Sequence, residues 1–320
     1  MAEAFLHLSE TDRRDALEVA AGAAGRPVHL LEKDIWVVWA LETLCASVHA
    51  PHLVFKGGTS LSKAYGVIRR FSEDVDLTYD IRAIAPDLVG EAAEALPPTP
   101  SQERRWTKEI RARLARWTQG EGLATIASAL AEENLPGTAR AEGDTIFIEY
   151  APLGIGTGYV QPSVRLEFGA RSTGEPWEDR AVVCDAAAHL PQLVFPTARP
   201  RVMRIERTFW EKATAIHVFC LQGRFRGAER FARHWHDVAR LGEAGHAAGA
   251  IADREIAEAV ARHKAMFFAE KDTNGSVIDY ATAVGGGLRL VTEWRGLGSA
   301  GRGLPPHGGG RSAARRCRAI

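Results

Sequence analysis

The sequence predicts an α/β core built on a small mixed sheet, followed by an α-helical C-terminal part. Three observations carry that prediction. The apolar run Leu53-Val54-Phe55 leads through Gly57 and Gly58 into helix-compatible sequence, then into the alternating run Asp74-Val75-Asp76-Leu77. Thr145 to Tyr150 and Ser163 to Phe168 each place apolar residues at every second position, the period of a half-buried strand. From Arg201 onward apolar residues recur every three to four positions, the spacing of a helix with one buried face.

Taken in order, residues 1–50 read as helices packing on the core. The longest is an amphipathic run through Ile35, Val38, Trp39, Leu41 and Leu44. Glu32-Lys33-Asp34 at its start reads most simply as a solvated first turn, with acids near the positive end of the helix dipole. Residues 51–200 form the core. After Gly58, about three helical turns are expected, with Leu61, Ala64, Tyr65 and Ile68 on one face.

Ile81 to about Leu96 is alanine-rich and expected to be helical until Pro97-Pro98-Thr99-Pro100 breaks it. A helical insertion then spans 97–137. Its first helix carries Arg104, Arg105, Lys108, Arg111, Arg113 and Arg116 between Trp106, Ile110, Leu114 and Trp117. That pattern fits either a solvated face over packed aromatics or a surface for a polyanion. A second helix is expected from Leu123 to Asn134. Gly154 to Gly158 lies between two strands rather than at a helix start, so it reads as a hairpin connection.

Residues 201–292 form the helical C-terminal part. Beyond Glu293 the chain has no acidic residue and consists mainly of Gly, Arg, Ala and Pro. A disordered tail over 293–320 is therefore expected, either native or the product of a frame change in the gene.

Composition narrows the function classes. Lys plus Arg and Asp plus Glu number 40 each, so no global charge marks a nucleic-acid binder, and any such contact must be local. No apolar run reaches membrane-spanning length, and the N-terminus lacks a signal-peptide pattern. Four cysteines without paired spacing suggest reduced thiols and a cytoplasmic setting. His217, Cys220, His234 and His236 do not have the spacing of a closed zinc site.

The chemistry concentrates between residues 53 and 80. Alternation along a strand sends Asp74 and Asp76 to one face and Val75 and Leu77 to the other. Two adjacent carboxylates repel unless a cation lies between them, and Mg²⁺ takes carboxylate together with phosphate oxygens. Gly57 and Gly58 permit close backbone approach to a phosphate. Thr59 and Ser60 add hydroxyls where a helix starts and its free N–H groups favour an anion. Lys56 precedes this turn and faces either phosphate or solvent.

The block Lys56-Gly57-Gly58-Thr59-Ser60, followed by Phe71-Ser72-Glu73-Asp74-Val75-Asp76-Leu77, resembles the signature of the polymerase-β-type nucleotidyltransferases. More narrowly it resembles the AbiEii/AbiGii abortive-infection toxins. The stretches Arg207-Thr208-Phe209-Trp210-Glu211-Lys212 and Arg233-His234-Trp235-His236-Asp237 resemble later motifs of that family, and Glu32-Lys33-Asp34 resembles a stretch it often carries, which would imply a supporting role near the active site.

The resemblance implies transfer of a nucleoside monophosphate from an NTP to a hydroxyl acceptor, with one or two Mg²⁺ ions. Asp74, Asp76 and Glu167 would be the metal-holding carboxylates, with Lys212 and Asp237 completing the catalytic set. Lys56, Gly57, Gly58, Thr59, Ser60 and Arg233 would hold the nucleotide. The implied acceptor is RNA, in particular tRNA, and the implied partner is a cognate antitoxin of winged-helix type. A small-molecule acceptor such as an antibiotic, or a nucleotide- or antitoxin-binding module without turnover, remains the alternative.

Overall fold

The computed structural model describes residues 3–70, 74–92, 94–154, 161–223 and 228–291. Phe71–Glu73, most of the 154–158 loop and the C-terminal tail lie outside these residues. The chain divides into two compact units, Met1–Met203 and Arg204–Ile320.

In the first unit, helix α1 (Glu10–Ala24) starts where the Ser9 side chain accepts from the Asp12 N–H. It stops at Gly25, whose φ of 63° is a left-handed conformation that glycine adopts without strain. Pro27 then leads into α2 (Val28–Ala46). This helix is the centre of the unit, with Leu31, Ile35, Trp36, Val37, Val38, Trp39, Leu41 and Leu44 all buried. Trp36 stacks on Tyr150 with ring centroids 5.1 Å apart, and Trp39 Nε1 donates to Glu133 Oε1 at 3.0 Å.

Burial also takes in Glu32, Lys33 and Asp34, at 3 %, 2 % and 3 % exposure, which overturns the expected solvated first turn. Successive helical side chains point about 100° apart, so three in a row are buried only when neighbours surround the helix. Each finds a polar partner there. Glu32 Oε2 accepts from Leu153 N (2.9 Å), Lys33 Nζ donates to Gln161 O (3.3 Å), and Asp34 Oδ1 meets Lys63 Nζ (2.6 Å).

Among the described residues, seven strands form one mixed sheet. They are β1 (Leu53–Lys56), β2 (Asp74–Tyr79), β3 (Gly137–Glu142), β4 (Thr145–Tyr150), β5 (Ser163–Gly169), β6 (Trp177–Asp179) and β7 (Arg201–Met203), in the spatial order β3-β4-β5-β2-β1-β7-β6. β2 runs antiparallel to β1 and parallel to β5, and β1 pairs in parallel with β7. Val75, Leu77, Val164, Leu166, Ile146 and Ile148 are buried at alternate positions along their strands, which gives the sheet one apolar face. The mixed α/β class expected from the sequence therefore holds.

The strands at 137–142, 177–179 and 201–203 are absent from the sequence reading. The first is polar and largely exposed, and the other two are three residues long, too short for a period to show.

Helix α3 spans only Gly57–Lys63, about two turns rather than three. Gly66 adopts φ 65°, and the Tyr65 hydroxyl donates to Glu178 Oε1 at 2.9 Å, so the chain turns away before Ile68 can extend the helical face. The expected helix from Ile81 to Leu96 reduces to single turns at Ile81–Ile84 and Pro86–Val89. Pro86 lacks an N–H to continue the first turn and begins a second one.

Helix α4 (Pro100–Trp117) passes through one wide turn at Thr118–Gly122 into α5 (Leu123–Glu132). Trp117 packs edge-on against Phe168 and Tyr79, at 5.1 and 4.7 Å, and so anchors this insertion on the apolar face of the sheet.

The second unit is mainly helical over its described residues, with α6 (Ile205–Gln222), α7 (Ala228–Glu243), α8 (His246–Ala252) and α9 (Arg254–Phe267) as its main elements. Trp210 Nε1 donates to Ala250 O at 2.8 Å, which ties α6 to α8. Asp253 caps α9 by accepting from Ile256 N at 3.1 Å.

Candidate active site

The polar face of the sheet carries the expected carboxylates together. In the parallel pairing of β2 with β5, Asp76 lies opposite Glu167 and Asp74 opposite Arg165. In the antiparallel pairing with β1, Asp76 lies opposite Lys56. A strand pair sets partners about 5 Å apart, so Asp76 has a carboxylate on one side and a lysine on the other. Asp74, Asp76 and Glu167 are all half-buried, while the intervening Val75 and Leu166 are fully buried.

α3 presses directly on this face. Gly57 has φ 80°, and a Cβ built there would stand 2.0 Å from Asp76 Oδ2. Both facts demand glycine, because a side chain would displace the aspartate and strain the backbone. The Thr59 hydroxyl donates to the Asp74 backbone carbonyl, and Ser60 Oγ donates to Gly57 O at 3.0 Å.

Thr59 and Ser60 are buried, at 2 % and 0 % exposure. Their hydroxyls, expected to face a phosphate, are instead taken up by backbone carbonyls: Thr59 ties the turn to the Asp74 strand and Ser60 closes the turn on Gly57. Gly58 is buried behind Gly57, and Lys56 stands half-buried at the end of β1.

Arg165 knits the acids together. One guanidinium nitrogen lies 3.3 Å from Asp74 Oδ1, and the other donates to Glu167 Oε1. Strand alternation puts Arg165 and Glu167 on one face of β5. The link to Asp74 depends on the register between β2 and β5, which no local pattern encodes.

Asp74 Oδ1 is buried and lies near the Arg165 guanidinium but accepts no hydrogen bond. A buried carboxylate oxygen with only that ion pair could take a cation or a ligand donor. Among the described residues no three His, Cys, Asp or Glu side chains stand close enough to hold a metal ion. The fit to Mg²⁺ therefore rests on Asp74 and Asp76, because this ion commonly takes one or two carboxylates and completes its shell with substrate phosphates and water. Glu167, engaged by Arg165, does not join them in this arrangement.

The remaining expected residues lie in the second unit. Lys212 on α6 forms an ion pair with Asp237 Oδ2 on α7 at 2.9 Å, and Asp237 is fully buried. His236 Nδ1 lies 3.2 Å from the other oxygen of Asp237. Arg233 is half-buried on α7, one turn before Asp237. The residues that sequence reasoning missed are Lys63, which pairs with Asp34, and Asp185, which joins them. Lys63 closes the KGGTSLSK block, whereas nothing local distinguishes Asp185 from a surface acid.

A glycine turn seated against the second aspartate of an Asp-x-Asp strand, with a third carboxylate in register beside it, is the arrangement of a nucleotidyltransferase-type core. The family model described as "Nucleotidyl transferase AbiEii toxin, Type IV TA system" matches residues 39–285, well over half of the chain. The chain belongs to that family. No curated protein sequence matches it. Among solved structures it is similar to MenT4, a nucleotidyltransferase toxin from Mycobacterium tuberculosis, at 19% identity and a TM-score of 0.40. That match covers 74% of this chain and 65% of the other, so the chain spans somewhat under two thirds of that protein's length.

Proposed function

We propose that the protein transfers a nucleoside monophosphate from an NTP to a hydroxyl of an RNA acceptor, in particular tRNA. It would act in the cytoplasm as the toxin of a toxin–antitoxin pair. The observation that carries this reading is the contact of the Gly57 turn with Asp76, itself in register with Glu167. It supports the reading because the backbone N–H groups of a glycine turn and carboxylates on one sheet face are what a metal-bound triphosphate would require.

In the reaction, the acceptor oxygen bonds to the α-phosphorus and the bond to the β-phosphate oxygen breaks, releasing pyrophosphate. Asp74 and Asp76 would hold Mg²⁺, which supplies charge neutralisation at the phosphates and acidifies the acceptor hydroxyl. Backbone N–H groups of the Gly57–Gly58 turn bind phosphate oxygens. Glu167 takes the proton of the acceptor hydroxyl, and Arg165 orients that carboxylate. The family resemblance would give Lys212, paired with Asp237, the role of offsetting charge on the pyrophosphate, and Arg233 that of a phosphate contact. Lys56 adds positive charge next to Asp76.

For the acceptor, α4 exposes Arg104, Arg105, Lys108, Arg111 and Arg116, while Arg113 is neutralised by Asp87 and by Glu109 at 2.8 Å. This stripe suits an RNA phosphate backbone. Family membership implies an antitoxin, for which a winged-helix protein is the expected type. Among the described residues no helix is long and apolar enough to cross a membrane.

Incubating the protein with each labelled NTP and total RNA tests the reading, with label expected in RNA for the wild type and none for Asp76→Ala. Pyrophosphate release only with a small hydroxylated acceptor would replace RNA as substrate. Nucleotide binding without release under any acceptor would overturn the transfer itself.

A further inference from the structure

The strongest charged cluster outside the carboxylate face lies at the far end of α3. Lys63 Nζ is 2.6 Å from Asp34 Oδ1 on α2 and 2.7 Å from Asp185 Oδ1. The circuit closes because the Asp185 N–H donates to Asp34 Oδ2 at 2.6 Å, and Arg26 pairs with the second oxygen of Asp185. The side chains of Lys63 and Asp34 are 10 % and 4 % exposed. Although burial works against its charge, Asp34 and Asp185 hold the Lys63 ammonium protonated above the ordinary lysine value.

We propose that Lys63, Asp34 and Asp185 are positioning residues that set the Gly57–Gly58 turn against Asp76. The inference rests on the transferase reading above and adds to it what holds the turn in place. α3 is a single short element touching both aspartates, through Gly57 against Asp76 and Thr59 on the Asp74 carbonyl. Its other end is Lys63. Seven residues of helix form a stiff rod of about 10 Å, so a displacement at Lys63 is transmitted to Gly57.

Beside Lys63 the structure leaves a cavity of about 40 Å³ lined by Thr59, Ser62, Asp34, Asp185 and Arg70, among others. On this side, ion pairs rather than close apolar packing decide where α3 lies. Buried ion pairs are poor stabilisers compared with apolar residues of equal volume, because desolvation offsets their attraction. Their directional geometry, however, fixes one arrangement of the three segments that carry them.

The test uses the full chain and three variants: Lys63→Arg, Lys63→Met, and the double variant Asp34→Leu/Lys63→Met, which replaces the pair without leaving one charge unmatched. Melting temperature, pyrophosphate release and amide hydrogen exchange are measured on each. The expected result is a double variant that melts within a few degrees of wild type. Its kcat should fall at least tenfold, and exchange at the 57–60 amides should rise. Lys63→Arg should restore part of the rate.

A double variant with native melting, wild-type kcat and unchanged exchange at residues 57–60 overturns the proposal. So does a rate loss in all three variants that only follows the folded fraction. If the wild type itself turns over no nucleotide, the transferase reading fails, and the exchange measurement still decides whether these residues hold the turn.

Discussion

The carboxylate face of the sheet and the acidic turn of α2 are built from the same residue types and end in opposite environments. Asp74, Asp76 and Glu167 are half-buried, bridged by an Arg165 side chain that is 41% exposed. Glu32, Lys33 and Asp34 are almost wholly enclosed, each on a fixed partner from another segment. Charges left partly in water can exchange partners at little cost, as the proposed binding of a triphosphate would require. Charges sealed inside cannot exchange, and they serve to lock α2, α3 and neighbouring loops into one geometry. A cluster of charged residues is thus a site or a strut according to its solvation.

Substitutions on each side sharpen this contrast. Asp76→Ala should abolish transfer, with a rate loss of at least about 10⁴-fold, the scale seen when a member of a catalytic set is removed. Labelled-NTP incorporation measures it, and a residual rate within tenfold of wild type would place the chemistry elsewhere. Asp34→Ala should instead act on folding, because Lys63 stays buried with half its compensation lost. A destabilisation of about 3–5 kcal/mol is expected in urea unfolding.

Glu32 adds a pH dependence. Burial drives its carboxyl up to about 7, against the hydrogen bond from Leu153 and the charges of Arg13 and Arg14. The folded protein then holds a proton that the unfolded chain releases near pH 4.5, so stability falls as pH rises from about 4.5 to 7 and levels off above. The drop amounts to at most about 3.4 kcal/mol. Glu32→Gln, which keeps an acceptor for the Leu153 N–H, should flatten that slope. An unchanged slope in unfolding midpoints from pH 4.5 to 7.5 would show that another group titrates.

The smallest effect is expected at Arg165. Its pairs are exposed enough that Arg165→Gln should leave stability within about 1 kcal/mol of wild type, while altering transfer through Glu167. A loss comparable to that of Asp34→Ala would erase the distinction between the two clusters.

The sequence by itself determined the strand–turn–helix–strand unit, the common face of Asp74 and Asp76, and the family. Each follows from period-two alternation, glycine spacing and ordered motifs, which are local properties of the chain. It also marked Arg165 and Glu167 as neighbours on one strand face. Tertiary structure alone decided that Asp76 sits beside Glu167 and that Gly57 closes on Asp76. It also turned the Thr59 and Ser60 hydroxyls back onto the backbone and enclosed Glu32, Lys33 and Asp34. Those outcomes depend on strand register and on which segments surround α2, and both are set by packing between separate segments of the chain. Alternation and helical period record which way a side chain points along its own element, but not what meets it there.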